Sequence, residues 1–297
     1  MGSVGSPTRR TRQNPAQGHR RLRREGDRDS PDLPVIEPLP RLVGMVHLMP
    51  LPGSPRFGGS IDQVLTTAAE DAGVLADAGF PAVMVENFGD APFFADRVPP
   101  ETVSAMTLAV DRISGFGIPV GVNILRNDAL AAVGVAAATG ARFIRVNVLT
   151  GLMYTDQGPI VGRAAEVQRH KQILAPDLEV WADVMVKHAA TPQGLDMRQM
   201  AMDTAERGLA DALIVSGSGT GEETNVGDAK IVRESSPEGI RVVAGSGVTA
   251  ENIDRLLGFV DTIIVGSSIK ADANPNNRPD PLRARAFVEK AAERGLV

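Results

Sequence analysis

The chain has 297 residues, a formal net charge of −5, 43% hydrophobic and 4% aromatic residues, and no cysteine. The lack of cysteine excludes disulfides, thiolate metal sites and a cysteine nucleophile, and it fits a reducing, cytoplasmic setting. No apolar run reaches the roughly 18 to 20 residues that span a bilayer, so no integral membrane association is expected, and the acidic balance gives no support to a nucleic-acid partner.

The first forty residues differ in kind from the rest. Eight arginines (Arg9, Arg10, Arg12, Arg20, Arg21, Arg23, Arg24, Arg28) stand against five acids, a net of +3 that leaves −8 on the remainder. Apolar residues are almost absent before Leu33, so residues 1–40 are expected to form a disordered extension. The segment lacks the apolar stretch of a signal peptide. An arginine-rich arm fits contact with nucleic acid or an acidic surface, or an organellar transit peptide, but an extension with no role of its own is the favoured reading.

From Arg41 onward, short apolar runs of β type alternate with longer amphipathic stretches. Strands are expected at 42–48, 82–86, 120–125, 143–149, 179–186, 212–216, 242–245 and 262–266. Between them helices begin near Ile61, Pro100, Asp128, Gly162, Asp196, Asp228 and Ala250, and a last one occupies 281–295. Ser60, Asn127 or Asp128, and Thr249 are suited to N-caps, Pro100 and Pro281 to first turns. Gly79, Gly117, Gly140, Gly208 and Gly295 follow helical runs as stop signals. Eight βα units of about 30 residues predict an α/β fold, a single (β/α)8 TIM barrel over 41–297. A doubly wound open sheet is the alternative, but no dinucleotide fingerprint follows the first strand.

In a barrel of this kind chemistry sits at the C-terminal ends of the strands. Taken in chain order, those ends present His47, then Glu86 and Asn87, then Asn123 and Arg126. The fourth strand presents Arg145 and Asn147, the fifth Asp183, Lys187 and His188, and the sixth Ser216, Ser218 and Thr220. Glu86 and Asp183 are the general-base candidates. Lys187 suits a Schiff-base or phosphate-gripping lysine and His188 a proton carrier. Neighbours on a strand face opposite ways, so Lys187 and His188 share a site only if the fifth strand has already ended. The segment 150–160, with the only tyrosine, reads as a lid or as a merely long connection. With no His-x-His or Glu-x-x-His spacing, acid–base chemistry without metal or cofactor is favoured over an oxygen-rich metal site of His47, Glu86 and Asp183.

The last two strands each end in Gly and Ser: Gly245-Ser246-Gly247 after one and Gly266-Ser267 after the other. Glycine lets the backbone approach an anion closely and serine hydroxyls donate, so the pair reads as a phosphate grip. His47, Asn123, Arg145, Asn147, Ser216 and Thr220 are expected to contact the rest of a small phosphorylated ligand.

The blocks Gly44-Met45-Val46-His47-Leu48-Met49-Pro50-Leu51-Pro52-Gly53-Ser54-Pro55 and Val85-Glu86-Asn87-Phe88-Gly89-Asp90-Ala91-Pro92-Phe93 resemble the BtpA/SgcQ family. So do Asn147-Val148-Leu149, Asp183-Val184-Met185-Val186-Lys187-His188, Ser216-Gly217-Ser218-Gly219-Thr220-Gly221, and both Gly-Ser blocks. The resemblance spans 41–297 and leaves out the extension. It implies a phosphate-binding barrel, and its names point to sugar-phosphate metabolism on one side and photosystem I biogenesis on the other. Two functions therefore compete. One is an enzyme with lyase, isomerase or glycosidic-cleavage chemistry on a sugar phosphate or nucleotide-like compound. The other is a non-catalytic photosystem I assembly factor. Barrels of this class often associate, so a homo-oligomer is compatible with either.

Overall fold

A computed structural model describes residues 1–2, 39–217, 219 and 221–297. The expected disordered extension therefore lies, apart from its ends, outside the described residues, as do Ser218 and Thr220. Residues Leu39–Val297 form one compact unit.

In chain order this unit contains β1 (Leu42–His47), α1 (Ile61–Ala78), β2 (Val83–Glu86), α2 (Pro100–Ser114), β3 (Val120–Asn123), α3 (Ala129–Thr139) and β4 (Phe143–Val146). There follow β5 (Leu152–Thr155), β6 (Gly158–Val161), α4 (Ala164–Leu174), β7 (Glu179–Asp183), β8 (Ala189–Ala190) and α5 (Met197–Met202). The chain ends with β9 (Ala212–Val215), α6 (Val226–Ser235), β10 (Arg241–Ala244), α7 (Ile253–Leu256), β11 (Thr262–Val265) and α8 (Pro281–Ala292). Eight of the strands close a parallel barrel in the order β1-β11-β10-β9-β7-β4-β3-β2. The remaining three, β6-β5-β8, make a small antiparallel sheet.

Alternation along each strand divides the core in two. Leu42, Val46, Val83, Val85, Val120 and Val122 face the helices in one buried cluster. Val43, Met45, Met84, Phe143, Trp181, Ile214, Val243 and Ile264 fill the barrel interior in another. Phe143 stacks on Trp181 with ring centroids 4.2 Å apart, and the Arg241 guanidinium lies over the Trp181 ring at 5.2 Å. This aromatic plug fills the barrel interior beneath the C-terminal mouth.

The caps follow the sequence in most places. Ser60 accepts from the Gln63 amide, Asp128 rather than Asn127 from that of Ala131, and Asp280 from those of Leu282 and Arg283 before Pro281. Gly79 and Gly140 end their helices at φ 97° and φ 76°. Thr249 does not cap a long helix. It and Asn252 bond to one another, Asn252 Nδ2 also donates to Gly247 O, and only one turn follows at Ile253–Leu256. Gly208 is no left-handed stop, at φ −79°.

Two expectations are corrected. The fourth and fifth barrel strands end at Val146 and Asp183, three residues earlier than the apolar runs predicted. Val148, Leu149 and Val186 are still buried, but beyond the barrel ladder, which Val184 closes by donating its amide to Ile214 O at 3.0 Å. The segment 150–160 is neither a bare loop nor a simple connection, because β5 and β6 form a hairpin to which β8 adds Ala189 and Ala190.

Gly121 pairs in register with Phe143, and a Cβ there would lie 2.2 Å from the Phe143 ring. Gly121→Ala is expected to destabilise the barrel by about 1 to 3 kcal/mol through overpacking, read as a lower Tm. An unchanged Tm would contradict this account of the plug.

Candidate active site

The two-residue period that buries Met45, Met84 and Phe143 below carries the next inward positions to the mouth. Register pairs His47 with Glu86 and Glu86 with Asn123. Arg145, Asn147, Asp183, Ser216, Gly245 and Gly266 complete the ring from the other strand ends. Nearly every expected site residue thus reaches one rim, Thr220 lying outside the described residues.

The centre of the rim is a buried ion pair. Arg145 donates from Nε to Asp183 Oδ2 at 2.9 Å and from Nη2 to Oδ1 at 2.8 Å, with side chains 3% and 0% exposed. Asn147 Nδ2 and Ser216 Oγ also donate to this carboxylate, at 3.2 and 3.1 Å. Asn123 Nδ2 in turn holds Asn147 Oδ1 and the Arg145 carbonyl, both at 3.1 Å. Burial disfavours charge on Arg145, but Asp183 more than offsets it and raises the guanidinium pKa. Asp183 therefore accepts four hydrogen bonds inside a network, which leaves its oxygens poorly placed to take a proton from a ligand. The oxygen-rich set of His47, Glu86 and Asp183 is not assembled as metal ligands, since Asp183 is turned to Arg145.

Glu86 stands apart from that network. It is 7% exposed, and Oε1 lies 3.8 Å from His47 Nε2. His47 stacks on Phe88 at 4.4 Å, and its Nδ1 lies 2.9 Å from the Pro275 carbonyl. A carbonyl can only accept, so Nδ1 carries the hydrogen and Nε2 of the neutral ring presents a lone pair. Burial first, then Lys270, lowers the His47 pKa well below its ordinary value, which keeps the ring neutral. Sequence reasoning left Lys270 without a role, although it ends the Ser267-Ser268-Ile269 block. It is 1% exposed and donates to Pro275 O at 3.1 Å, so one carbonyl braces both His47 and Lys270.

Because β7 ends at Asp183, Lys187 and His188 leave the strand geometry and both line the mouth. His188 sits at φ 54°, the left-handed region that lets two consecutive side chains share one cavity. Burial is the main cause that lowers the His188 pKa, with Lys187 next. Lys187 is half-buried, and its pKa is pushed down to about 8 by burial first and by Arg145 second.

Two cavities lie on either side of a neck that touches these groups. The larger, of about 450 Å³, is lined by Glu86, Arg126, Arg145, Asn147, Lys187 and His188, with Asp156 and Gln157 from the hairpin tip. The other, of about 300 Å³, lies between the two Gly-Ser loops against Gly221, Gly247, Gly266, Ser267 and Ser268. A neck of about 30 Å³ joins their linings: it touches His47, Glu86, Arg145 and Lys187 on one side and Gly221, Gly245, Ser246, Gly247, Gly266 and Ser267 on the other. Gly247 has φ 65°, and a Cβ there would lie 2.0 Å from the Glu222 carbonyl. Ser246 Oγ accepts from the Gly217 amide at 2.9 Å and donates to Glu222 O at 3.3 Å. Ser268 Oγ donates to Val248 O at 2.7 Å, tying the two loops together. Ser246 thus shapes the loop cavity, and Ser267 lines it.

Lys270 shares the depressed pKa of about 8, again through burial, against an ordinary lysine value of 10.5. The unfolded chain then holds more protons than the folded one between about pH 8 and 10.5, so these two groups make stability rise with pH across that window. With selective ¹³C labelling of the five lysines, two resonances are expected to titrate near pH 8. A chain with no lysine titrating there would contradict the burial argument.

The BtpA family profile matches residues 40–293. The chain is 46% identical over 253 residues to the photosystem I biogenesis protein BtpA of a Synechocystis strain, covering 85% of this chain and 88% of that protein. It is 46% identical over 255 residues to an uncharacterised protein of Thermococcus kodakarensis, covering 85% and 95%. It is 32% identical over 253 residues to the putative sgc region protein SgcQ of Escherichia coli, covering 84% and 93%. Among solved structures, thiamine phosphate pyrophosphorylase from Pyrococcus furiosus aligns with TM-score 0.52 at 16% identity, covering 85% of this chain and 96% of the other. N-(5'-phosphoribosyl)anthranilate isomerase from the same organism aligns with TM-score 0.53 at 14% identity, covering 85% and 98%. At those identities the structures speak for the barrel alone, whereas the profile and the relatives cover nearly the whole unit, and the chain belongs to the BtpA family.

Proposed function

We propose that this protein is an enzyme acting on a phosphorylated small molecule, a sugar phosphate or a nucleotide-like compound, at the C-terminal mouth of the barrel. The observation that carries the reading is the neck, where Glu86, His47 and Lys187 meet a cavity walled by Gly247, Gly266 and Ser267. A phosphate seated between Gly245-Ser246-Gly247 and Gly266-Ser267 presents the next few carbons of its ligand to those three side chains. Barrels whose names include a phosphate or phosphoribosyl compound share the fold, which supports the reading by analogy only.

Within it, Glu86 takes or gives the proton, and the bare Nε2 of His47 receives a hydroxyl hydrogen from the ligand or relays that proton. Lys187 acts as electrophile or nucleophile. With a pKa of about 8, roughly a tenth of its amines are neutral at pH 7, enough to attack a carbonyl. Asp183 becomes a positioning residue: it aims Arg145, Asn147 and Ser216 and leaves base duty to Glu86. His188 remains a proton carrier at the outer wall. Lyase, isomerase and glycosidic-cleavage chemistry all draw on such a set.

The second reading, an assembly factor for photosystem I, rests on the Synechocystis relative's name. The equally similar Thermococcus kodakarensis relative is not named for photosystem I, which gives that reading no support beyond the one name.

A thermal-shift screen with sugar phosphates and nucleotides is expected to find a ligand that raises Tm, since saturation at a hundred times Kd adds about 2.7 kcal/mol to stability. With that ligand as substrate, Glu86→Gln and Lys187→Ala are expected to lower kcat by about 10²-fold or more. Ser246→Ala is expected mainly to raise KM. Full turnover by the Lys187 variant, or no shift with any phosphorylated compound, would overturn the reading.

A further inference from the structure

The larger cavity holds a charge arrangement that the phosphate loops do not explain. Arg126 is 6% exposed, and its Nη2 donates to the Lys187 carbonyl at 2.6 Å. Among the described residues, no carboxylate forms a salt bridge with Arg126 or with Lys187. Two other buried charges of this unit are matched: Arg145 by Asp183, and Asp71 by Arg278 at 2.6 Å. Lys270 is also buried without a carboxylate partner among the described residues, but it is braced by Pro275 and lines neither of the two cavities. A guanidinium has five donors in a planar fork suited to two oxygens of one acid group, and a buried cation needs a partner.

Glu86 and Asp156 face the same cavity without meeting that need. Glu86 lies at the neck beside His47, and Asp156 takes the Gln157 amide at 2.5 Å on the hairpin tip. Arg56 adds a further cation to the wall. Burial lowers the Arg126 pKa, with Asp183 the largest opposing influence, so the group is desolvated by its surroundings and not neutralised by them.

We propose that Arg126 and Lys187 form a second anion site, so that the substrate carries an acid group at each end: a phosphate in the Gly-Ser loops and a carboxylate or second phosphate at Arg126. The inference rests on the phosphate reading for the first end only. The neck fixes the relation between the ends, because Glu86, Arg145 and Lys187 line both the neck and the larger cavity. A ligand held by its phosphate in the smaller cavity passes the proton-transfer groups before its far end meets Arg126. The site also selects against ligands with a neutral far end, which would leave the guanidinium buried and unpaired.

Calorimetric titration of the full chain with inorganic phosphate at pH 7 separates the two claims. Two phosphates per chain are expected. Arg126→Gln is expected to weaken one site at least tenfold, Arg126→Lys to restore it, and Ser267→Asp to remove the other by repulsion. If Arg126→Gln does not fold, Lys187→Met gives the same readout. A single phosphate that is lost in Ser267→Asp and indifferent to Arg126 would overturn the second site and leave the phosphate loops standing. A single phosphate lost only with the Arg126 or Lys187 change would support the second site and remove the loops. No binding would overturn both.

Discussion

The bidentate pair between Arg145 and Asp183 organises the mouth of this barrel. A charge taken out of water inside a barrel is tolerated only with a partner in good geometry and with its remaining lone pairs satisfied. Here the geometry is two parallel N–H···O bonds, and Asn147 and Ser216 complete the carboxylate. The pair joins β4 to β7, and its satellites reach to β3 through Asn123 and past β9 through Ser216. By consuming one acid and one base, it decides which ionisable groups remain for a ligand: Glu86 and His47 on one flank, Lys187 and Arg126 on the other.

Those flanks are asymmetric in a chemically useful way. The Glu86 flank holds a carboxylate beside a neutral imidazole, with the imidazole tautomer set by the Pro275 carbonyl. The Lys187 flank holds two cations that burial desolvates. A proton acceptor facing an electron-poor group across a narrow neck is the arrangement that proton abstraction next to a carbonyl requires. The loops that wall the smaller cavity are tied to one another by Ser268 and to the 217–224 segment by Ser246 and Thr224. The phosphate seat we propose there belongs to the same rim as Glu86, His47 and Lys187.

The barrel was legible from the sequence because inward and outward faces alternate through eight apolar runs, and the period carries His47, Glu86, Asn123, Arg145 and Asp183 to one rim. Val148, Leu149 and Val186 look like strand residues in the sequence, but an apolar run does not say whether its residues pair in the barrel or pack above it. The hairpin at 152–161 was illegible because Gly158 and Pro159 read as loop residues, and the strand that completes its sheet is only two residues long. The different surroundings of Glu86 and Asp183 were illegible too. Both are acids at strand ends, and what separates them is an arginine 38 residues away in sequence from one and turned from the other. Arg126 was visible as a polar residue at the third strand end, but its lack of a carboxylate partner exists only in three dimensions.

The most direct test of the central claim is the position of a phosphorylated ligand in a crystal of the protein. The account predicts phosphate oxygens within hydrogen-bond reach of Gly247 and Ser267, with the adjoining carbons beside Glu86 and Lys187. A phosphate seated elsewhere on the barrel, with the neck left unfilled, would contradict it.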